Sequence, residues 1–153
     1  MKLTSRGEYA LRALAVLGLR HGQGVVSMQE ISRQQNIPKR YLEHILNDLR
    51  EAGLVESRRG VRGGYQLARR PEEITLAMVL RHLEGALAPV GCVSQHFYEP
   101  CSCPDEARCG IRSVMAEVRQ ALVQTLERFT LADVCERYRQ LQGPVEGPLD
   151  FVI

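Results

Sequence analysis

Cys92, Cys101, Cys103 and Cys109 stand within eighteen residues, in the Pro-bearing stretch CVSQHFYEPCSCPDEARC, and only Cys135 lies outside it. Thiolates grouped on one loop are the usual ligands of iron–sulfur clusters, and four of them also satisfy tetrahedral zinc. The spacing C-x8-C-x-C-x5-C lacks the paired knuckles that mark structural zinc sites. A third chemistry needs no metal: Cys101 or Cys103 can serve a thiol/disulfide switch. Composition leaves all three open. Permanent disulfides are the least expected use. The opening stretch MKLTSRGEYALRALAVL is broken by Arg6, Glu8 and Arg12, which suits an amphipathic helix better than a secretory signal. No apolar run reaches the length of a membrane span. The expected location is therefore a reducing cytoplasm, where structural disulfides are rare.

Basic residues form the second constellation. Net charge is only +2, yet residues 1–72 hold thirteen Lys and Arg against seven Asp and Glu, while residues 73–153 hold seven against eleven. A basic half joined to an acidic half calls for an anionic partner, with nucleic acid first in line. In IPKRYLEH, Lys39, Arg40 and Glu43 fall on the exposed side at the start of a helix. From there long basic side chains reach guanine O6 and N7 in a major groove. Tyr41 suits either a phosphate contact or the core. SRRGVRGG then presents Arg58, Arg59 and Arg62 among three glycines. Glycine permits the turn and a close backbone approach, and arginine suits phosphate or a narrow minor groove.

Hydrophobic periodicity predicts the scaffold for these side chains. Ala10, Ala13, Leu14 and Leu17 recur at helical steps over residues 5–20, and HGQG ends that helix. SMQE is a capping box, in which Ser27 accepts from the backbone of Glu30 and the Glu30 carboxylate reaches back. A short helix over 28–35 follows, then the turn NIPKR, then a helix over 39–52 with Leu42, Ile45, Leu46 and Leu49 on one face. Strands are expected at 54–58 and 65–68 around the arginine-rich tip, and a fourth helix at 75–84. Two helices across a tight turn, followed by a hairpin, make a winged helix-turn-helix. Ser27, at the entry of the second helix, joins the expected DNA contacts.

Beyond the cysteines, Ile111, Val114, Met115, Val118, Leu122, Leu126 and Phe129 recur at three- and four-residue steps over five turns. So long a stripe needs a partner, and half-site reading by helix-turn-helix proteins favours a second copy of the chain. Thr130 and Asp133 cap one last short helix, where Cys135 reads as a core thiol. The expected fold class is mainly α with a small β-hairpin wing. Residues 1–85 form the DNA-binding domain, 86–110 the Cys-rich loop, 111–140 the dimerisation helix and short last helix, and 141–153 a flexible tail.

LTSRGEYALRAL, IPKRYLEHILNDLREAGLVESRRGVRGGYQLAR and EEITLAMVL together resemble the Rrf-type family of bacterial transcription regulators, over roughly residues 1–135. The resemblance implies a homodimeric winged-helix protein with long crossing helices. Its recognition helix enters the major groove of double-stranded DNA, and a wing arginine enters the minor groove. Carried onto this chain, those contacts fall on Arg40, Tyr41, Glu43 and Arg59. The resemblance also implies an iron–sulfur cluster, of two or four irons, held by Cys92, Cys103 and Cys109. Here the interval from Cys92 to Cys103 is longer than in the cluster-bearing relatives, and Cys101 is additional. Cys101 and Glu8, the latter reaching across from the partner subunit, compete for the fourth position. His96 is read as a solvated loop residue.

Nothing in the sequence marks an enzyme. There is no phosphate-binding glycine loop, no G-x-S-x-G elbow and no H-E-x-x-H helix, and His21, His44, His82 and His96 are scattered without ligand spacing.

Overall fold

Thr4 caps the first helix, its side chain accepting from the Gly7 N–H at 3.2 Å, and α1 (Ser5–Leu19) buries the expected Ala10, Ala13, Leu14 and Leu17. The computed structural model describes residues 2–142; the tail expected at 141–153 lies outside them from residue 143 onward.

Ser27 opens α2 (Met28–Gln35) by accepting from the Glu30 N–H at 3.1 Å. The return half of the capping box does not form. The Glu30 carboxylate turns instead to Arg20 at 3.1 Å and Gln34 at 2.9 Å. A charge-assisted bond to a guanidinium outcompetes one to a neutral backbone donor. The chain then turns on Asn36, which takes the left-handed conformation (φ 51°) that Asn tolerates better than bulkier residues. Pro38 opens α3 (Lys39–Glu51), which buries Leu42, Ile45, Leu46 and Leu49.

Strands β1 (Val55–Arg58) and β2 (Gly64–Leu67) pair antiparallel, with Val55 opposite Leu67. Val26 and Tyr65 exchange two backbone hydrogen bonds of 2.8 Å, tying the hairpin to the entry of α2. Gly64 makes that approach possible, since a Cβ there would strike the Val26 carbonyl. Thr75 caps α4 (Leu76–Glu84) by accepting from the Met78 N–H at 3.2 Å.

The two C-terminal helices behave differently from each other. No side chain of α5 (Gly110–Arg128) is fully buried. Val123 and Leu126 pack against Ala77, Leu80 and Leu87, whereas Ile111, Val114 and Val118 remain 71%, 55% and 46% exposed. The predicted stripe is thus divided, its last turns against α4 and its first turns open. By contrast, α6 (Leu131–Gln142), the last short helix with its expected core thiol, packs onto α1 and completes the main core with Leu131 and Cys135. The Leu76 N–H donates to Phe129 O at 3.0 Å and the Leu131 N–H to Ile74 O at 2.7 Å, anchoring the α5–α6 corner beside α4. Gly18 leaves room for the Cys135 sulfur, which a Cβ would approach to 2.6 Å. Cys135 is the expected core thiol, and burial pushes its pKa up.

Candidate nucleic-acid interface and metal-binding loop

Amphipathicity sorts α3 into a packed side and an exposed side. While Leu42, Ile45, Leu46 and Leu49 anchor the helix, Lys39, Arg40, Tyr41 and Glu43 are exposed. Tyr41, for which core and phosphate roles were both open, is 63% exposed and lines an open groove with Tyr9 and His44. Arg58, Arg59 and Arg62 are exposed on and around the wing tip, where Gly60 adopts a positive φ of 116°. Among the described residues, none of Lys39, Arg40, Arg58, Arg59 and Arg62 forms an intrachain ion pair. The Arg50 guanidinium donates to the Ser57 hydroxyl at 3.3 Å, linking the end of α3 to the wing. Ser27 is exposed, next in chain to the Val26 that joins the wing.

The cysteine loop is built from 3-10 turns at Gly91–Val93 and Glu106–Arg108. Cys92 is buried in the first turn, and its carbonyl accepts from Arg112 Nε at 3.2 Å. Asp105 starts the second turn by accepting from the Ala107 and Arg108 N–H groups at 3.1 and 3.3 Å. Cys109 caps α5, its Sγ accepting from the Arg112 N–H at 3.4 Å. Against the expectation for a reducing compartment, Cys101 and Cys103 are joined as a disulfide, their Cα atoms 5.4 Å apart. A bond closing so short a loop restricts the unfolded chain little. It suits a reversible pair more than a structural staple.

Of the predicted ligands, the structure brings together Cys92 and Cys101, and it adds Glu106. One donor atom from each of these three lies within 4.8 Å of the others. Cys103 and Cys109 stand outside this group. Glu8 is on the exposed side of α1, its carboxylate 3.4 Å from Arg12. His96 is exposed, as expected. Glu106 escaped the sequence reading because acidic loop residues are common; its place three residues before Cys109 was the available signal. Its Oε2 accepts from the Tyr98 hydroxyl at 2.6 Å, and this bond raises the Tyr98 pKa. Four thiols on one loop, with buried Cys92 beside Cys101, are a donor set that fits an iron–sulfur cluster once the disulfide is reduced.

An α2–turn–α3 unit followed by a two-stranded wing defines a winged helix-turn-helix protein. A family model described as Rrf2, iron-dependent transcriptional regulator, matches residues 3–137, and the chain belongs to that family. It is a transcriptional regulator, not an enzyme. An rrf2-like HTH-type transcriptional regulator of Rhodobacter capsulatus is 40% identical over 136 residues, covering 86% of this chain and 91% of the relative. The solved structure of CymR, the global cysteine regulator of B. subtilis, superposes with a TM-score of 0.76 at 33% identity, covering 90% of this chain and 98% of that one. T. potens IscR gives a TM-score of 0.76 at 31% identity, covering 96% and 94%. Among the described residues, no helix is long and apolar enough to cross a membrane.

Proposed function

We propose that the chain is a cytoplasmic, homodimeric repressor whose affinity for a double-stranded DNA operator is switched by an iron–sulfur cluster held in residues 86–110. The observation that carries this reading is the grouping of four cysteines on one loop, two of which, Cys92 and Cys101, converge beside Arg112, a residue of the first turn of α5. Cys92, Cys101, Cys103 and Cys109 would supply the thiolates, and Glu8 of a second copy is the remaining candidate. Bound there, a cluster supplies iron reactive toward oxidants and nitric oxide. The protein's own residues carry the consequence. Arg112 holds the Cys92 carbonyl at 3.2 Å and stands 3.4 Å from the Glu106 carboxylate, so reordering of the loop bears on α5. The open turns at Ile111, Val114 and Val118 are the dimer seam in this reading. Moving them resets the spacing of two recognition helices and two wings.

On DNA, Arg40, Tyr41 and Glu43 face the major groove and Arg59 the minor groove, with Ser27, Lys39, Arg58 and Arg62 on phosphates or groove edges. The family's iron-dependent description supports the cluster. One observation favours a second reading: the Cys101–Cys103 disulfide, together with the likeness to a cysteine regulator, suits a metal-free thiol switch on the same scaffold. Anaerobic purification separates the two. The cluster reading expects visible absorbance with iron and acid-labile sulfide, and colourless protein with neither leaves the thiol switch. Stoichiometric zinc without iron would instead mark a zinc-stabilised member.

A further inference from the structure

One carboxylate in the loop lacks the partners that its surroundings demand. Glu106 Oε1 is cut off from water and accepts no hydrogen bond among the described residues, with the Arg112 guanidinium at 3.4 Å as its charged neighbour. The other oxygen takes the Tyr98 hydroxyl at 2.6 Å, which fixes the rotation of the group. Leaving a desolvated acceptor unpaired costs about 1–3 kcal/mol, and more when it is charged. The neighbours of the carboxylate explain the arrangement. Cys92 Sγ, Cys101 Sγ and a Glu106 carboxylate oxygen lie within 4.8 Å of one another. Ligand atoms around a tetrahedral zinc ion stand about 3.5 Å apart, so a small inward movement lets the three share one cation.

We propose that Cys92, Cys101 and Glu106 form a mononuclear site for a thiophilic divalent cation of the zinc type, with Glu106 as its oxygen ligand. The site rests on the reading of residues 86–110 as a metal-responsive loop, but not on a cluster. Two thiolates and a carboxylate bring three negative charges; Arg112 offsets one and a dication the other two. Sulfur donors select a borderline-soft metal over calcium or magnesium, which take oxygen. Tyr98 orients the carboxylate and Arg112 the Cys92 backbone, the outer-shell contacts that metal sites use. The fourth position is left to water.

Cys101 enters the site only when its bond to Cys103 is open. A dithiol reductant gives up two electrons and two protons and closes its own disulfide, while Cys101 and Cys103 become thiols. The entering cation then displaces the thiol protons of Cys92 and Cys101 into solvent. Oxidation closes the site and reduction opens it.

Cobalt(II) titration of the full chain tests this, after chelator treatment, dithiol reduction and anaerobic removal of the dithiol. One cobalt per chain should bind, with tetrahedral visible bands, sulfur-to-cobalt charge transfer from two thiolates, and displacement by zinc. Glu106→Gln, which keeps the size of the side chain, should weaken binding about tenfold or more. Cys92→Ser and Cys101→Ser should each remove about half of the charge-transfer intensity, and Cys103→Ser and Cys109→Ser should change affinity little. Unreduced protein should not take up the metal. Circular dichroism establishes that each variant is folded, and Glu106→Asp gives a second carboxylate variant of intermediate affinity. Wild-type affinity in Glu106→Gln, loss of binding confined to Cys103→Ser and Cys109→Ser, or equal binding before and after reduction would each overturn the site. Protein isolated without iron and sulfide would sink the cluster reading and leave this one standing. A cluster-bearing protein whose metal-free form ignores cobalt would do the reverse.

Discussion

The winged helix-turn-helix and the cysteine loop are built to opposite standards. In the first, α1, α3, the wing, α4 and α6 share one apolar core, and Leu14, Leu42, Leu46, Leu49, Ile74 and Leu131 are all but inaccessible. In the second, residues 86–110 are held by turns, a disulfide and polar contacts to Arg112, and the helix that follows buries no side chain completely. A packed core keeps the recognition helix and wing in one relative position. Beyond the buried Leu87, Cys92 and Val93, the loop from Gln95 to Cys109 has no fully buried side chain, and such a segment opens at lower cost.

The sharpest way to break that contrast is to weaken each region in turn. Leu46→Ala should cost about 2–5 kcal/mol in chemical denaturation, because the core around α3 collapses only partly into the void. Cys103→Ser, in the half-buried loop, should stay within about 0.5 kcal/mol. Equal losses would show that the loop is as much a part of the core as α3 is.

Next in size is the proposed dimer seam. Val118→Glu should give monomers by light scattering and lower operator affinity by roughly a hundredfold, since two half-sites are no longer read together. A folded dimer of normal affinity would mean that the open turns of α5 serve something else. Within the winged helix-turn-helix, Arg59→Ala should cost about 1–3 kcal/mol and relax selectivity at narrow A/T steps. Lys39→Ala should weaken all sequences alike in competition binding assays. Unchanged affinity in both would remove the groove assignments.

The smallest expected effect sits at the α6 cap. Bonds from the backbone N–H and hydroxyl of Thr130 hold the Asp133 carboxyl below its ordinary pKa. A depressed carboxylate lends stability above its unfolded pKa and loses it as pH falls through the folded value. Asp133→Asn should therefore lower the melting temperature slightly at neutral pH and make no difference at strongly acidic pH.

Regions with strong local signals were legible in the sequence. Periodic apolar residues and caps located the first five α-helices of the described residues to within a residue or two, the cap at Thr130 marked the start of the sixth, and the glycines around the wing marked the hairpin. Contacts between distant segments were not legible. Nothing local in LADVCERYRQ says that α6 returns to α1, because its partner surface is assembled only when Gly18 leaves room for Cys135. The SMQE motif predicted both halves of a capping box, but Arg20, ten residues away, takes the Glu30 carboxylate. In the loop, cysteine spacing pointed to metal chemistry, while Glu106 emerged only from the fold that sets it beside Cys92 and Cys101.

In the proposed mechanism the loop controls the winged helix-turn-helix. The most direct test is operator affinity, at fixed salt and under anaerobic conditions, for the protein as isolated and after its iron has been removed. The account predicts a 5- to 150-fold change, equivalent to a coupling of about 1–3 kcal/mol, abolished by serine at Cys92. Identical affinity before and after removal would contradict it.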